Sequence, residues 1–172
     1  KPGDILTASN GKTIEVLNTD AEGRLILADA LAYASKQYDP EYMLDFATLT
    51  GAVVVTLGHI ATGLMSNNDT LVENIKVSSD NTGEHVWQLP LWEEYCDQVK
   101  SDVADVKNLG SPGQAGTIAG AAFLKAFVGK DIPWAHFDVA GTSYHVENIT
   151  YIQKNSASVQ VIRIVLDLLV AL

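Results

Sequence analysis

The chain has 172 residues, a length that suits one domain with a sizeable core. Its 21 acidic and 11 basic residues give a formal net charge of -10, which disfavours binding to nucleic acid or anionic lipid, since both need clustered Lys and Arg. A single cysteine, Cys96, excludes a disulfide within the chain and suits a reducing compartment, and the longest apolar runs are too short or too interrupted to span a bilayer.

The sequence up to residue 69 alternates between β-rich and helix-forming stretches. It predicts, in chain order, a strand at 13–17, a helix at 24–36, a strand at 42–47, a buried β-rich run at 52–57, and loop or turn at 58–69. The first helix has a defined start signal, because Thr19 as N-cap and Glu22 three residues later fit a capping box.

Helices dominate the sequence beyond residue 70. It predicts a helix at 71–80, an extended stretch at 87–92 leading into a helix at 93–100, a Gly/Pro-rich loop at 108–116, a helix at 117–128, a strand at 134–139 and a closing amphipathic helix at 158–172. Strands that alternate with helices in this way predict an α/β layered domain.

Three charged residues, Asp20, Glu22 and Arg24, follow the first predicted strand at alternate positions. That places them at the carboxyl edge of a sheet, where α/β proteins bind ligands. Two carboxylates can hold a divalent cation, and an arginine can clamp a carbonyl oxygen or an anion. The structural alternative is a capping box with Asp20 near the helix N-terminus and Arg24 as a solvated charge. Spacing alone favours that alternative, since capping boxes are common and two carboxylates are not a full ligand set.

The motif around these charges carries more information than their spacing. Residues 18–25 read NTDAEGRL and closely resemble the signature of the leucyl (cytosol) aminopeptidases. Further similarities follow in order, among them PGD at 2–4, NGKT at 10–13, ATLTGA at 47–52, WAH at 134–136 and DVAG at 138–141. The resemblance covers nearly the whole chain, and chance is a poor explanation for so many ordered matches.

The resemblance implies a metal-dependent aminopeptidase that releases N-terminal residues, with Leu and other apolar residues preferred. In this family two divalent metal ions, Zn or Mn, share a bridging water, and metal binding lowers the pKa of that water so that it becomes a nucleophile near neutral pH. By resemblance, Asp20 and Glu22 are metal ligands. Arg24 is the catalytic residue that stabilises developing negative charge and holds a bicarbonate ion.

The resemblance also implies a substrate site, a fold and an assembly. Thr48, Leu49 and Gly51 line the substrate site, partly through backbone atoms, and Gly51 leaves room for a side chain to approach. The implied fold is a three-layer α/β/α sandwich around a mixed, mostly parallel sheet. The implied protein is a cytoplasmic homohexamer that acts on peptide substrates. The net charge of -10, rather than the resemblance, predicts that it has no nucleic-acid or membrane partner.

The family completes its site with a Lys, two Asp and a second, catalytic Lys from a segment well upstream of the signature. Only 17 residues precede Asn18 here, and Lys1, Asp4 and Lys12 do not stand in the matching context. We therefore expect residues 1–172 to be the C-terminal portion of one catalytic domain, without its upstream part and inactive alone. The alternative, from another functional class, is a non-catalytic assembly or binding module that retains the fold.

Other candidate sites in the sequence are weaker. None of the four histidines forms a His-Glu-x-x-His pair, and His136 is predicted to be a hydrogen-bonded core residue rather than a ligand. Ser143 lacks the second glycine of a nucleophile elbow, which disfavours a serine hydrolase. Trp87, Trp92 and Trp134 are predicted to anchor the core or a subunit interface.

Overall fold

The computed structural model describes residues 1–144, 146 and 156–171. In chain order they form β1 (Ile5–Thr7), β2 (Thr13–Glu15), a 3₁₀ turn (Thr19–Ala21), α1 (Gly23–Gln37), β3 (Met43–Ala47), α2 (Ala52–Leu57), β4 (Thr62–Ser66), α3 (Asp69–Thr82), β5 (Val86–Gln88), α4 (Glu93–Asp97), β6 (Val106–Lys107), α5 (Gly116–Lys125), β7 (Trp134–Asp138) and α6 (Ile162–Ala171). Within these ranges no helix combines the length and the apolar character needed to cross a bilayer.

The chain divides into two compact units. The first contains Lys1–Met43 and Pro90–Trp134, and the second contains Leu44–Leu89 and Ala135–Leu172. Each unit combines strands and helices, and the sheets contain both parallel and antiparallel pairs. The α/β class and the mixed pairing predicted from the sequence are therefore confirmed. The described strands form two sheets rather than the single sheet that was expected.

The first unit holds a three-stranded sheet in the order β1-β2-β6. Strand β2 pairs antiparallel with β1 and parallel with β6, and Ile14 lies opposite Val106 with both side chains buried. A reciprocal link joins the starts of β2 and β6. The Thr13 amide and hydroxyl donate to the Asp105 carboxylate at 2.8 and 2.7 Å, and the Asp105 amide donates to the Thr13 hydroxyl at 2.9 Å. The bonds from Thr13 hold the pKa of Asp105 below its ordinary value of 3.8, and the bond from the Thr13 amide has the larger effect.

The second unit holds a four-stranded sheet in the order β3-β7-β4-β5, although the first residues of β3 and β7 belong to the first unit. Strand β4 runs parallel to β5 and antiparallel to β7, and Leu64 lies opposite Phe137. All five residues of β7 are buried, as expected for a central strand covered on both faces. The imidazole Nδ1 of fully buried His136 lies 2.5 Å from Oδ1 of Asp45, so the core role predicted for this histidine is confirmed.

The run at 52–57, predicted as β-rich, is helix α2. Its valines favour strands, but only one face of the run is buried: Val53 is 0% exposed and Val55 is 90% exposed. The Thr50 hydroxyl accepts from the Val53 amide at 3.3 Å, which satisfies one of the donors at the helix start. The neighbouring strand β4 lies at Thr62–Ser66, within the stretch that the sequence predicts as loop.

Other element boundaries shift by a few residues. Helices α4 and α5 end at Asp97 and Lys125, earlier than predicted, and α6 begins at Ile162 rather than at residue 158. The predicted end of that last helix, Leu172, lies outside the described residues. Single-sequence patterns place element ends less reliably than element types, because caps and tertiary contacts set the ends.

The three tryptophans do not share one environment. Trp134 is fully buried, so its predicted core role is confirmed. Trp87 and Trp92 are 64% and 65% exposed, so the core placement is wrong for them. Trp92 stacks on Tyr95 with ring centroids 6.0 Å apart. The interface role that the sequence left open for these two residues stays a prediction.

Gly141 in the second unit lies where a β carbon would overlap the carbonyl oxygen of Gly58. No rotamer relieves a clash between a β carbon and backbone, so we expect Gly141→Ala to lower the free energy of unfolding by about 1–3 kcal/mol. Urea unfolding measures this loss. Gly51→Ala is the control, since nothing lies within 4 Å of the added β carbon and φ is -67° there. We expect that control to change stability by no more than about 0.5 kcal/mol; equal losses in the two variants would contradict the steric explanation.

Candidate functional site

The signature-like run at 18–25 forms the turn between β2 and α1. Asn18 is the N-cap of the 3₁₀ turn, with φ -137° and ψ 126°, and its side chain accepts from the Asp20 amide at 2.9 Å. Helix α1 begins at Gly23, and Glu22 makes no capping hydrogen bond with its side chain. The predicted capping box is therefore wrong. The 3₁₀ turn comes between the cap and the helix, so Thr19 lies inside the first turn instead of preceding it.

Asp20 and Glu22 lie on this turn with both side chains exposed. Within the described part of the chain, neither carboxylate accepts a hydrogen bond or forms an ion pair. Their oxygens are therefore available to a cation, and carboxylate oxygen suits Zn²⁺ and Mn²⁺. The described ranges contain no group of three or more His, Cys, Asp or Glu placed to hold a metal ion. Two carboxylates are fewer than such a group, and the role of Asp20 and Glu22 as metal ligands stays a prediction.

Arg24 lies on the first turn of α1 and is 8% exposed. Its Nη1 donates to the carbonyl oxygen of Asn108 at 3.0 Å. The alternative that treated Arg24 as a solvated charge is therefore wrong, because the guanidinium is buried and bonded to backbone. A buried cation needs such partners, since desolvation otherwise disfavours it.

Asn108 is a residue of this region that the sequence did not single out. It directly follows β6 and is fully buried. Its side chain bonds to backbone atoms of residues 17, 18 and 21, and its carbonyl oxygen accepts from Arg24. Only the strand pairing indicates its role: β2 and β6 are parallel, so the residues that follow them meet at one edge of the sheet. The sequence alone did not provide this pairing.

Lys12 is a structural residue of the same unit. Its Nζ donates to the carbonyl oxygen of Ala126, just after α5, at 2.6 Å. An ammonium group at a helix C-terminus satisfies a carbonyl without an intrahelical partner and interacts favourably with the helix dipole. This contact accounts for Lys12 without a role as metal ligand.

In the second unit, Thr48, Leu49 and Gly51 lie between β3 and α2. Thr48 and Gly51 are exposed and Leu49 is half-buried, so this loop has open surface. Asp138, the last residue of β7, is fully buried beneath it. The Asp138 carboxylate accepts from the amides of residues 49 and 140 at 3.2 Å each and from the hydroxyl of residue 50 at 2.7 Å. A buried carboxylate thus fixes the loop through its backbone.

Two histidines of the second unit have structural partners. Nδ1 of His59 lies 2.7 Å from the carbonyl oxygen of Gly141, and His136 pairs with Asp45 as described above. His145 lies outside the described residues. His59 and His136 therefore both contact other groups of the fold, as the sequence predicted for His136.

Comparison with known proteins matches residues 1–165 to the catalytic-domain model of the cytosol aminopeptidase family. The chain belongs to this family. It is 56% identical to a probable cytosol aminopeptidase of Chlorobium limicola over 144 residues, 84% of this chain and 28% of that protein. It is 56% identical to another from Desulfotalea psychrophila over 154 residues, 90% of this chain and 30% of that protein. It is also similar to a solved tomato leucine aminopeptidase mutant, with a TM-score of 0.90 and 45% identity over 100% of this chain and 32% of that one.

The cytosol aminopeptidase resemblance predicted from residues 18–25 is thus confirmed, and so is the α/β fold it implied. The chain spans about a third of the length of the relatives it matches. Asp20, Glu22 and Arg24 lie in the first unit, on the stretch from the 3₁₀ turn to the first turn of α1. It places the predicted substrate residues together on one loop of the second unit. Their functional roles stay predictions at this point.

We expect Asp138→Asn to loosen the loop that follows β3, because one carboxylate oxygen is replaced by an amide group that cannot accept. The loss of a hydrogen bond to a charged group is worth about 1.5–3 kcal/mol. The amides of Leu49 and Thr50 should then exchange with solvent roughly ten- to a hundredfold faster. Amide hydrogen exchange measures this rate. Asp69→Asn, at an exposed position of the same unit, serves as control. Unchanged exchange at residues 49 and 50 in Asp138→Asn would show that the carboxylate does not hold the loop.

Proposed function

We propose that this chain supplies one part of a two-metal site in an aminopeptidase, with Asp20 and Glu22 as two of the ligands. The observation that carries the proposal is the pair of exposed carboxylates, which lie on one backbone-anchored turn without partners among the described residues. Their oxygens fit Zn²⁺ or Mn²⁺ in part. We propose that residues 1–172 are the C-terminal portion of one catalytic domain and that the remaining ligands come from an upstream segment of the whole protein.

The bound metals would supply an activated water that attacks the scissile carbonyl. Arg24 would contribute a buried positive charge beside the ligands. A cation placed in low dielectric stabilises developing negative charge more strongly than one in water. The same guanidinium would hold a bicarbonate ion, because its planar fork of N–H donors matches a planar oxyanion.

The loop of Thr48, Leu49 and Gly51 would bind the peptide substrate, with Leu and other apolar N-terminal residues preferred. The Leu49 amide already donates to Asp138, so this residue would contact a substrate through its carbonyl or its side chain. A β carbon at Gly51 would meet nothing within 4 Å, which supports a role for Gly51 in leaving space for substrate.

For the whole protein we propose a cytoplasmic homohexamer that acts on peptides and binds neither nucleic acid nor membranes. The cytosolic name of its relatives and the net charge of -10 support this proposal. The exposed Trp87 and Trp92 are the kind of large apolar side chain that subunit contacts bury.

A second candidate is a non-catalytic assembly or binding module that retains the fold. One observation favours it: the described residues contain no metal-binding group of three or more side chains. Metal binding by the chain and activity of the whole protein, taken together, distinguish the two functions.

The ligand assignment predicts where the chain binds a metal ion. We expect Mn²⁺ added to the chain to broaden the backbone NMR signals of residues 19–23 by paramagnetic relaxation. Asp20→Asn or Glu22→Gln should weaken this effect at least about tenfold, since each removes half of the charge that holds the ion. Asp102→Asn changes an exposed carboxylate elsewhere in the same unit and is the matched control. Selective broadening elsewhere in the wild-type chain would refute the ligand assignment.

The proposed function also predicts the activities of the chain and of the whole protein. We expect the 172-residue chain to hydrolyse a leucyl chromogenic amide no faster than the buffer control with Mn²⁺ present, because two carboxylates do not preorganise two metals. The whole protein should turn this substrate over, and its Asp20→Ala and Glu22→Ala variants should not. Robust turnover by the chain alone would overturn its proposed inactivity. A whole protein that binds Mn²⁺ but never turns over would favour the binding module.

A further inference from the structure

We infer that Asn108 is a positioning residue for the proposed metal ligands: it sets the backbone of the turn that carries Asp20 and Glu22 and ties Arg24 to that turn. The inference rests on the proposed function of these three residues. It concerns a residue more than 80 positions away in the sequence, in the loop after β6.

The buried side-chain amide of Asn108 uses both of its ends on the turn. Its Nδ2 donates to the carbonyl oxygen of Asn18 at 2.7 Å and, with a longer contact, to that of Ala21 at 3.4 Å. Its Oδ1 accepts from the amide of Leu17 at 2.8 Å and, more weakly, from that of Asn18 at 3.4 Å. The two carbonyls lie on either side of Asp20 in sequence, so one side chain fixes the backbone that flanks a proposed ligand.

The main chain of Asn108 connects the same turn to its surroundings. Its amide donates to the carbonyl oxygen of Glu15, the last residue of β2, at 3.0 Å. Its carbonyl oxygen accepts from Nη1 of Arg24, also at 3.0 Å. A shift of Asn108 would therefore move the end of a strand, the ligand-bearing turn and the guanidinium together.

The chemistry of the amide explains why asparagine suits this position. Asparagine offers donors and an acceptor on one short side chain, whereas ionised aspartate only accepts and leucine of similar size does neither. Two carboxylates on a loosely held turn would lose conformational freedom when a metal binds, and a turn that is already fixed avoids most of that loss. Removing partners that orient metal ligands typically weakens metal affinity about 10- to 100-fold.

The test measures Mn²⁺ affinity from the broadening of backbone signals of residues 19–23 in the whole 172-residue chain. We expect Asn108→Ala and Asn108→Asp to bind Mn²⁺ roughly tenfold more weakly than the wild type. Asn10→Ala is the matched control, because Oδ1 of Asn10 accepts from the Lys12 amide in an exposed turn of the same unit. Asn108→Asp keeps the volume and the acceptor for Leu17, so it decides the question if the alanine variant does not fold.

The outcomes separate this inference from the function on which it rests. Absence of Mn²⁺ broadening near Asp20 in the wild type contradicts the ligand assignment itself. Wild-type broadening with unchanged affinity in a folded Asn108 variant overturns only the positioning role. A measurement without variants adds a further check: Zn²⁺ should shift the side-chain amide signals of Asn108 together with the backbone signals of residues 20–22. Signals of Asn108 that stay in place while those backbone signals move would also overturn the inference.

Discussion

The hydrogen bonds of one buried residue, Asn108, join two parts of the first unit that are distant in sequence: the loop after β6 and the segment from Glu15 to Arg24. They exist because β2 and β6 are parallel, so the residue after one strand lies beside the residue after the other. Parallel pairing thus brings Asn108 next to the turn at 17–21, and the amide then fixes that turn through its backbone. The proposed ligands Asp20 and Glu22 have exposed side chains on a backbone that does not depend on those side chains for its shape.

The second unit follows the same physical principle with a carboxylate in place of an amide. Asp138 ends the buried strand β7, and its oxygens accept from the loop after β3. A buried carboxylate is costly unless it is hydrogen-bonded, so those donors offset the cost of burying Asp138. In both units a buried polar side chain at the end of a strand holds an exposed loop. The buried side chains that hold each loop in place are therefore different from the groups proposed to contact a metal ion or a substrate.

The sequence predicted what depends on local pattern. Helices α1 and α3 follow from apolar periodicity, and the signature at 18–25 identified the family. Helix α2 was missed because strand propensity of its valines outweighed the cap that Thr50 provides, and only the tertiary structure shows that one face is buried. The roles of Asn108 and Asp138 were missed for a different reason. Apart from the Ala140 amide, which donates to Asp138, their partners lie more than 80 residues away, and no short-range period reports such contacts.

The contact between His59 and Gly141 has a consequence for the tautomer of the imidazole. A carbonyl oxygen only accepts, so Nδ1 of His59 must carry the proton in this bond, which selects the less common neutral tautomer. In that tautomer the second nitrogen, Nε2, carries no proton and is the acceptor of the ring. One contact with the backbone thus decides which edge of the imidazole can donate a hydrogen bond and which edge can accept one.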